Sequence, residues 1–408
     1  MKSNYKRIGD YIREVKVKNR DLNINTLMGI NIDKYFMPSV ANTVGTDMSK
    51  YKIVKKGQFA CNRMHVGRDK RLPISLLKDY ESIIVSPAYT VFEIIDENQL
   101  DPEYLMMWFS REEFDRQAWF YTDSDVRGGL GIEDLFNIKI PVPSIEKQRE
   151  IVNEYNTVLN RIKLNENMIC ELENLSETIY KQWFVDFNFP DENGKPYKSS
   201  GGEIYFNEIL GKEVPLGWNT WRMNEFGNVI TGKTPSSDNP EQFGEEIPFV
   251  TPGDFKNYNK FVLGADRGLS QSGINKLKSK ILKDGSVVVT CIGSDMGKVV
   301  LVKDECITNQ QMNSIVVNRG YYSDYLYYYI KSISQELKSI ALGGSTMPML
   351  SKSEFESIEI LKPMDYVLEK FSQTLCSFNK EIIIKSKMSK ELDEMRNILL
   401  SRITLVEE

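Results

Sequence analysis

A single histidine, His65, stands in the 408 residues of this chain. That excludes a paired-histidine metal site and leaves a histidine-dependent nucleophile without support. Cys61 lies four residues before it, but two ligands do not close a zinc site. The five cysteines (Cys61, Cys170, Cys291, Cys306 and Cys376) are odd in number, widely spaced and free of any CxxC pair. Such usage points to free thiols in a reducing compartment rather than a disulfide or zinc framework. No run of about 18 apolar residues is present, so no membrane span is expected. The opening Met1-Lys-Ser-Asn-Tyr-Lys-Arg lacks an apolar core and a cleavage site, so secretion is not expected and the cytoplasm is. No Asn/Asp-Pro-Pro-Tyr/Phe tetrapeptide of amino-methyltransferases occurs either.

One pattern does match a catalytic loop letter for letter. Gly227-Asn-Val-Ile-Thr-Gly232-Lys233-Thr234 has the spacing of a phosphate-binding P-loop. Such a loop must open directly into a helix, whose first amides hold the phosphates. Here Pro235-Ser-Ser-Asp-Asn-Pro240 follows, a turn-rich run that cannot continue a helix. The match is therefore taken as fortuitous. Pro190-Asp191, followed by Glu192 and Lys195, loosely resembles nuclease carboxylate patterns but falls in a linker. The chain is expected to carry no catalytic residue, no metal and no cofactor.

With 41% hydrophobic and 27% charged residues, the composition is that of a soluble globular protein with room for two or three cores. Net charge is −5, which argues against a general polyanion binder, yet the charge is uneven. Lys50, Lys52, Lys55, Lys56, Arg63, Arg68, Lys70, Arg71 and Lys78 share their stretch with one acid, Asp69. Lys256, Lys260, Arg267, Lys276, Lys278, Lys280 and Lys283 share theirs with Asp266 alone. A solvated face explains either segment by itself. One in each half of the chain favours nucleic acid.

The halves are copies. Ile151, Tyr155, Val158, Ile162, Asn165, Ile169, Leu172, Ser176, Ile179 and Trp183 alternate in steps of four and three. Adding 220 gives Phe371, Leu375, Phe378, Ile382, Lys385, Ser389, Leu392, Arg396, Leu399 and Ile403, again mostly apolar. The register extends upstream, where Leu135, Ile138, Ile140 and Pro143 repeat as Phe355, Ile358, Ile360 and Pro363. A 3.5-residue apolar repeat of this length is a coiled-coil seam, and the 220-residue period between the copies is too long for a solenoid. Asn165, Lys385 and Arg396 interrupt it. They are expected to lie exposed or out of register, the alternative being that they fix register.

The expected fold is α+β: two tandem recognition domains of mixed strands and short helices, separated and joined by two long antiparallel coiled-coil helices. Residues 1–143 form the first domain, 144–188 the first spacer helix and 189–214 a linker. Residues 215–363 form the second domain and 364–408 the second spacer helix. Strands are expected near 51–55, 83–86, 90–95, 286–290, 299–302 and 314–318. A helix capped by Asp101 has its counterpart near residues 321–330.

At the junctions the sequence resembles a known family. Ile140-Pro-Val-Pro143-Ser-Ile-Glu-Lys-Gln148, Ile179-Tyr-Lys-Gln-Trp183-Phe184-Val-Asp-Phe187 and Lys195-Pro-Tyr-Lys-Ser-Ser-Gly-Gly202 are similar to segments of the DNA specificity subunit of type I restriction–modification enzymes. So are Pro215-Leu-Gly-Trp218, Gly232-Lys-Thr-Pro235-Ser, Ile247-Pro-Phe-Val-Thr251-Pro-Gly-Asp254 and Thr308-Asn-Gln-Gln311. The second junction lacks the paired prolines and the glutamine, and the first domain has no clear Gly-Trp or Gly-x-Thr-Pro opening. The resemblance implies a non-catalytic subunit whose two domains each read one half of a split double-stranded DNA site. It implies as partners two methylating subunits and outer motor–nuclease subunits, with the helices as ruler and dock.

Lysine and arginine contacts to phosphate supply register, while amides, hydroxyls and arginine at loop tips read base edges. In the first domain the DNA-binding candidates are Lys52, Lys55, Lys56, Asn62, Arg63, His65, Arg68, Lys70 and Arg71. In the second they are Ser236, Ser237, Lys256, Ser294, Lys298, Gln310 and Gln311. Trp183 and Phe184 are candidates for partner docking, or else core at a helix end. Two other functions fit less well: a coiled-coil adaptor that binds only protein, and a specificity subunit of a related system outside type I.

Overall fold

The computed structural model describes residues 5–39, 45–122, 128–293, 295–341 and 349–405. The chain divides into two compact units, Met1–Ile162 with Glu391–Glu408, and Lys163–Lys390. Each unit holds one α+β domain and parts of both long helices.

The two domains share one plan. In the first, an antiparallel sheet runs in the order Ile12–Val15, Thr90–Ile94, Phe59–Cys61, Ile74–Leu76. The second repeats it as Gly227–Thr231, Met312–Val317, Val287–Thr290, Val299–Val302, and adds Phe261–Val262 in parallel at the edge. Entry and exit strands close each domain, Tyr5–Arg7 on Lys139–Pro141 and Asn219–Arg222 on Glu359–Lys362. Short helices Ile132–Asn137 and Lys352–Ser357 precede the exit strands at the 220-residue offset. Helices Pro102–Phe109 and Tyr322–Ser332 also correspond; Asp101 caps the first by accepting from the amides of Glu103 and Tyr104.

The first long helix spans Ile145–Tyr180 and ends in a π-turn, Lys181–Val185; the second spans Asp365–Arg402. Ser144 begins the first, its hydroxyl accepting from the amide of Lys147 at 3.4 Å. None of the twenty seam positions is exposed. In one unit Val152 packs with Leu400 and Ile403, and in the other Tyr180 and Trp183 pack on Phe371. Early residues of one helix thus meet late residues of the other, which is antiparallel pairing.

The seam's polar members correct one expectation. Asn165 is fully buried, and Lys385 and Arg396 are half-buried, so they lie in the seam and not outside it. Neither the amide nitrogen nor the oxygen of Asn165 has a hydrogen-bond partner among the described residues.

Residues 189–214 hold more structure than a linker needs. Ile204–Asn207 pairs with Lys212–Pro215 as a hairpin. Tyr197 stacks on Phe189 at 4.6 Å, and Phe189 on the fully buried Trp218 at 5.1 Å. At the first junction Gln148, also fully buried, accepts from the amide of Asp101 and donates to the carbonyls of Gln99 and Pro143, each at 2.9 Å. The second junction substitutes Lys362, which donates to Asp365 at 2.7 Å beneath the Trp221 ring. Among the described residues no helix is long and apolar enough to cross a membrane.

Candidate nucleic-acid interface

Most first-domain candidates lie on the connection between strands Phe59–Cys61 and Ile74–Leu76. Asn62 caps a short 3-10 turn, Arg63–His65, its side chain accepting from the amide of Met64 at 3.2 Å. A one-turn helix, Val66–Asp69, follows and packs through Gly67 against Gly128; a Cβ on Gly67 would lie 2.7 Å from the Gly128 Cα. Lys70 ends that turn in the left-handed region (φ 54°) and lays its ammonium over the Trp119 ring at 5.0 Å. Arg68 is exposed and paired with Asp69 at 2.7 Å; Arg71 reaches Asp33 at 3.2 Å. Lys55 and Lys56 are exposed, Lys56 3.5 Å from Glu81. The side chain of His65 lies outside the described residues.

Two candidates turn inward. Arg63 donates to the Thr90 hydroxyl at 2.8 Å and to the carbonyl of Leu130, which spends its fork inside the domain. Lys52 is half-buried and donates to the carbonyl of Tyr89, and burial lowers its pKa. Cys61 is fully buried, which pushes its thiol up to about 12 and keeps it protonated.

In the second domain three loops come together. The segment with P-loop spacing runs along strand Gly227–Thr231 and then into a loop, without opening a helix. Gly232 is pressed on the segment that carries Thr308 and Asn309; a Cβ there would lie 2.1 Å from the carbonyl oxygen of Asn309. The Lys233 amide donates to Thr308 O at 2.9 Å, and the Thr234 hydroxyl to the Gln310 side chain at 2.5 Å. Gly-x-Thr-Pro and Thr-Asn-Gln-Gln are therefore two sides of one surface. The Cys291 amide donates to Gln311 O at 2.8 Å, which brings in the loop carrying Lys298.

Ser236, Ser237, Lys298 and Gln310 are exposed there, with Lys298 paired to Asp295 at 2.8 Å. The Gln311 oxygen accepts from Asn309 at 3.0 Å. Lys256 is exposed on the 3-10 turn Pro252–Asn257, where Asp254 accepts from the Thr251 amide and hydroxyl, both at 2.7 Å. Ser294 lies outside the described residues. A hollow of about 290 Å³ opens beside this turn, lined by Phe255, Tyr258, Lys298, Lys331 and Lys338.

Trp183 and Phe184 correct another expectation. They are 7% and 5% exposed, with Phe184 edge-on to Tyr325 at 4.8 Å and to Phe371 at 4.9 Å. Both rings are spent on the core at the helix end, which leaves neither open to a docking partner. Sequence reasoning also missed Trp119, Phe120 and Tyr121, which are 43%, 81% and 42% exposed. Their signal was available, since three consecutive aromatics at 100° steps cannot all face one core.

Comparison with known proteins settles the ancestry. The model of the type I restriction modification DNA specificity domain matches residues 33–174 and 215–394. The chain belongs to this family. Both matches end inside a long helix, at positions 220 residues apart, so each takes in most of a domain and most of the helix after it. Among specificity subunits, that of the type I restriction enzyme HindI from Haemophilus influenzae is 26% identical over 432 residues, covering 93% of this chain and 92% of its own. The MjaIX specificity subunit of Methanocaldococcus jannaschii is 30% identical over 196 residues, 47% of this chain and 45% of its own. The crystal structure of the type I S subunit from M. genitalium shares the fold, with a TM-score of 0.60 at 14% identity, covering 99% of this chain and 96% of that one. In this specificity-family chain, the junction motifs of the sequence are chiefly core and capping residues, while the Gly-x-Thr-Pro and Thr-Asn-Gln-Gln loops carry exposed hydroxyls and amides.

Proposed function

We propose that this chain is the DNA-reading subunit of a type I restriction–modification complex and performs no chemistry of its own. Its two domains, residues 1–143 and 215–363, each read one half of a split duplex site. The helices of 144–188 and 364–408 set the distance between the halves. Two methylating subunits and the motor–nuclease subunits assemble on it, in the cytoplasm.

One observation carries this reading. The connection between corresponding sheet strands holds exposed cations in both domains, Arg68 and Lys70 in one and Lys298 in the other. A duplicated reader with a cation-bearing connection at the same place in each copy suits a two-part target. Phosphate contacts from such cations position the protein, and neighbouring side chains then read base edges.

The test is selection of bound duplexes from a randomised library by the chain assembled with its methylating partner. Two separated blocks of preferred sequence are expected. Gln310→Ala with Ser236→Ala erodes the block read by the second domain, each lost base contact costing about 1–3 kcal/mol, whereas Arg68→Ala with Lys70→Ala weakens binding and leaves the base preference of both blocks in place. A single block, or equal erosion of both blocks by either pair, overturns the proposal.

A further inference from the structure

We infer that Phe120, with its neighbours Trp119 and Tyr121, makes an apolar contact to the DNA duplex, and that only the first domain has this device. The inference rests on the function proposed above and adds a reading residue to it.

Helix Glu112–Phe120 ends in three consecutive aromatic residues with Tyr121 as its C-cap. The Phe120 ring is 81% exposed and stands edge-on to Tyr121 at 5.6 Å. A contiguous set of large apolar side chains left in water marks a contact surface. What surrounds them selects the partner. Lys70 lies over Trp119 at 5.0 Å, and its own helical turn carries the exposed Arg68. Met64, 46% exposed, sits on the 3-10 turn that leads into it.

The placement is held in two independent ways. Gly67 and Gly128 approach so closely that neither tolerates a Cβ, and the Gly67 amide donates to Gly128 O at 2.8 Å. Lys70 keeps a left-handed backbone, which a lysine adopts only where its surroundings impose it. Several nearby acids are matched by cations: Asp69 pairs with Arg68, Glu113 with Arg111 and Arg116, and Asp115 is buried on Lys34 at 2.8 Å.

A purely apolar protein groove would complement the rings but not the cations among them. A duplex complements both, with phosphates for Arg68 and Lys70 and with base faces or thymine methyl groups for the rings. In the second domain the helix in the corresponding place, Ser334–Ala341, has the sequence Ser-Gln-Glu-Leu-Lys-Ser-Ile-Ala and is followed by Leu-Gly-Gly, so no aromatic occupies its end. The two readers therefore differ in kind.

The test uses the chain assembled with its methylating partner, with selection from a randomised duplex library followed by titration of the selected duplex. Phe120→Ala is expected to weaken binding at least tenfold and to erase preference at one or two adjacent positions of one half-site. The other half-site keeps its preference, and Phe120→Leu retains part of the contact. Unchanged affinity and preference in Phe120→Ala would overturn the inference. So would loss of the methylating subunit from the complex with preference intact on what still assembles, because the patch would then dock protein. Failure of the two-reader function would show differently, as absence of a two-block preference in the unaltered chain.

Discussion

Lys260 donates to the Asp324 carboxylate at 2.6 Å from a position with no solvent exposure. Asn379 on the second long helix accepts from the same ammonium at 2.9 Å and donates back to Asp324 at 3.0 Å. The Tyr328 and Tyr327 rings lie 4.7 and 5.1 Å from the ammonium. Lys260 leads into a sheet strand and Asp324 stands on a domain helix, so this triad joins the second domain to its spacer helix. Burial lowers the Lys260 pKa and the Asp324 charge opposes the shift. Lys260→Met leaves Asp324 buried without its cation and is expected to cost about 3–5 kcal/mol. Thermal unfolding of the purified variant checks this; an unchanged Tm contradicts it.

Asn165 gives the opposite sign. Its amide is buried in the seam without a partner among the described residues, and such a group costs about 1–3 kcal/mol. Asn165→Leu is expected to raise stability by that amount in urea unfolding. Register specificity is the property at risk, since polar seam residues select alignment. Destabilisation by leucine would show that the site does not accept an apolar side chain.

Glu173 supplies a pH dependence. Burial raises its pKa, with Lys331 and Lys260 pulling the other way and Glu177 adding to the rise. A carboxyl that holds its proton more tightly when folded contributes stability that is present at low pH and lost as pH rises through the folded pKa. Glu173→Gln should therefore gain stability over the unaltered chain as pH rises from about 4 toward 7, and lose that advantage in acid. Parallel stability profiles would count against this account.

Gly232→Ala tests the loop cluster. Its Cβ would meet backbone oxygens of Asn309 and Thr308 at 2.1 and 2.4 Å, contacts that no side-chain rotation relieves. A stability loss of about 1–3 kcal/mol is expected, as for overpacking. The half-site read by the second domain should lose its preference and the other keep it. Library selection reads both, and retention of both would detach this loop from reading.

The seam was legible in the sequence because heptad spacing is a local property, and all twenty positions taken from it are shielded. The duplication was legible for the same reason, and it predicted the plan that the two sheets share. The false P-loop was also decided locally, by the prolines after Thr234.

Side-chain fate was not legible. Arg63 and Arg68 look alike in sequence, yet one bonds Thr90 and Leu130 inside the domain and the other stands in solvent beside Asp69. Trp183 and Phe120 are both aromatics at helix ends, one enclosed by Phe371 and Phe184, the other bare. Periodicity along one chain segment fixes which face a residue takes. Whether that face is covered depends on segments distant in sequence, as Gly128 is from Gly67 and Asp324 from Lys260. Only the tertiary structure sets those long-range approaches, and with them which cations and rings remain for a partner.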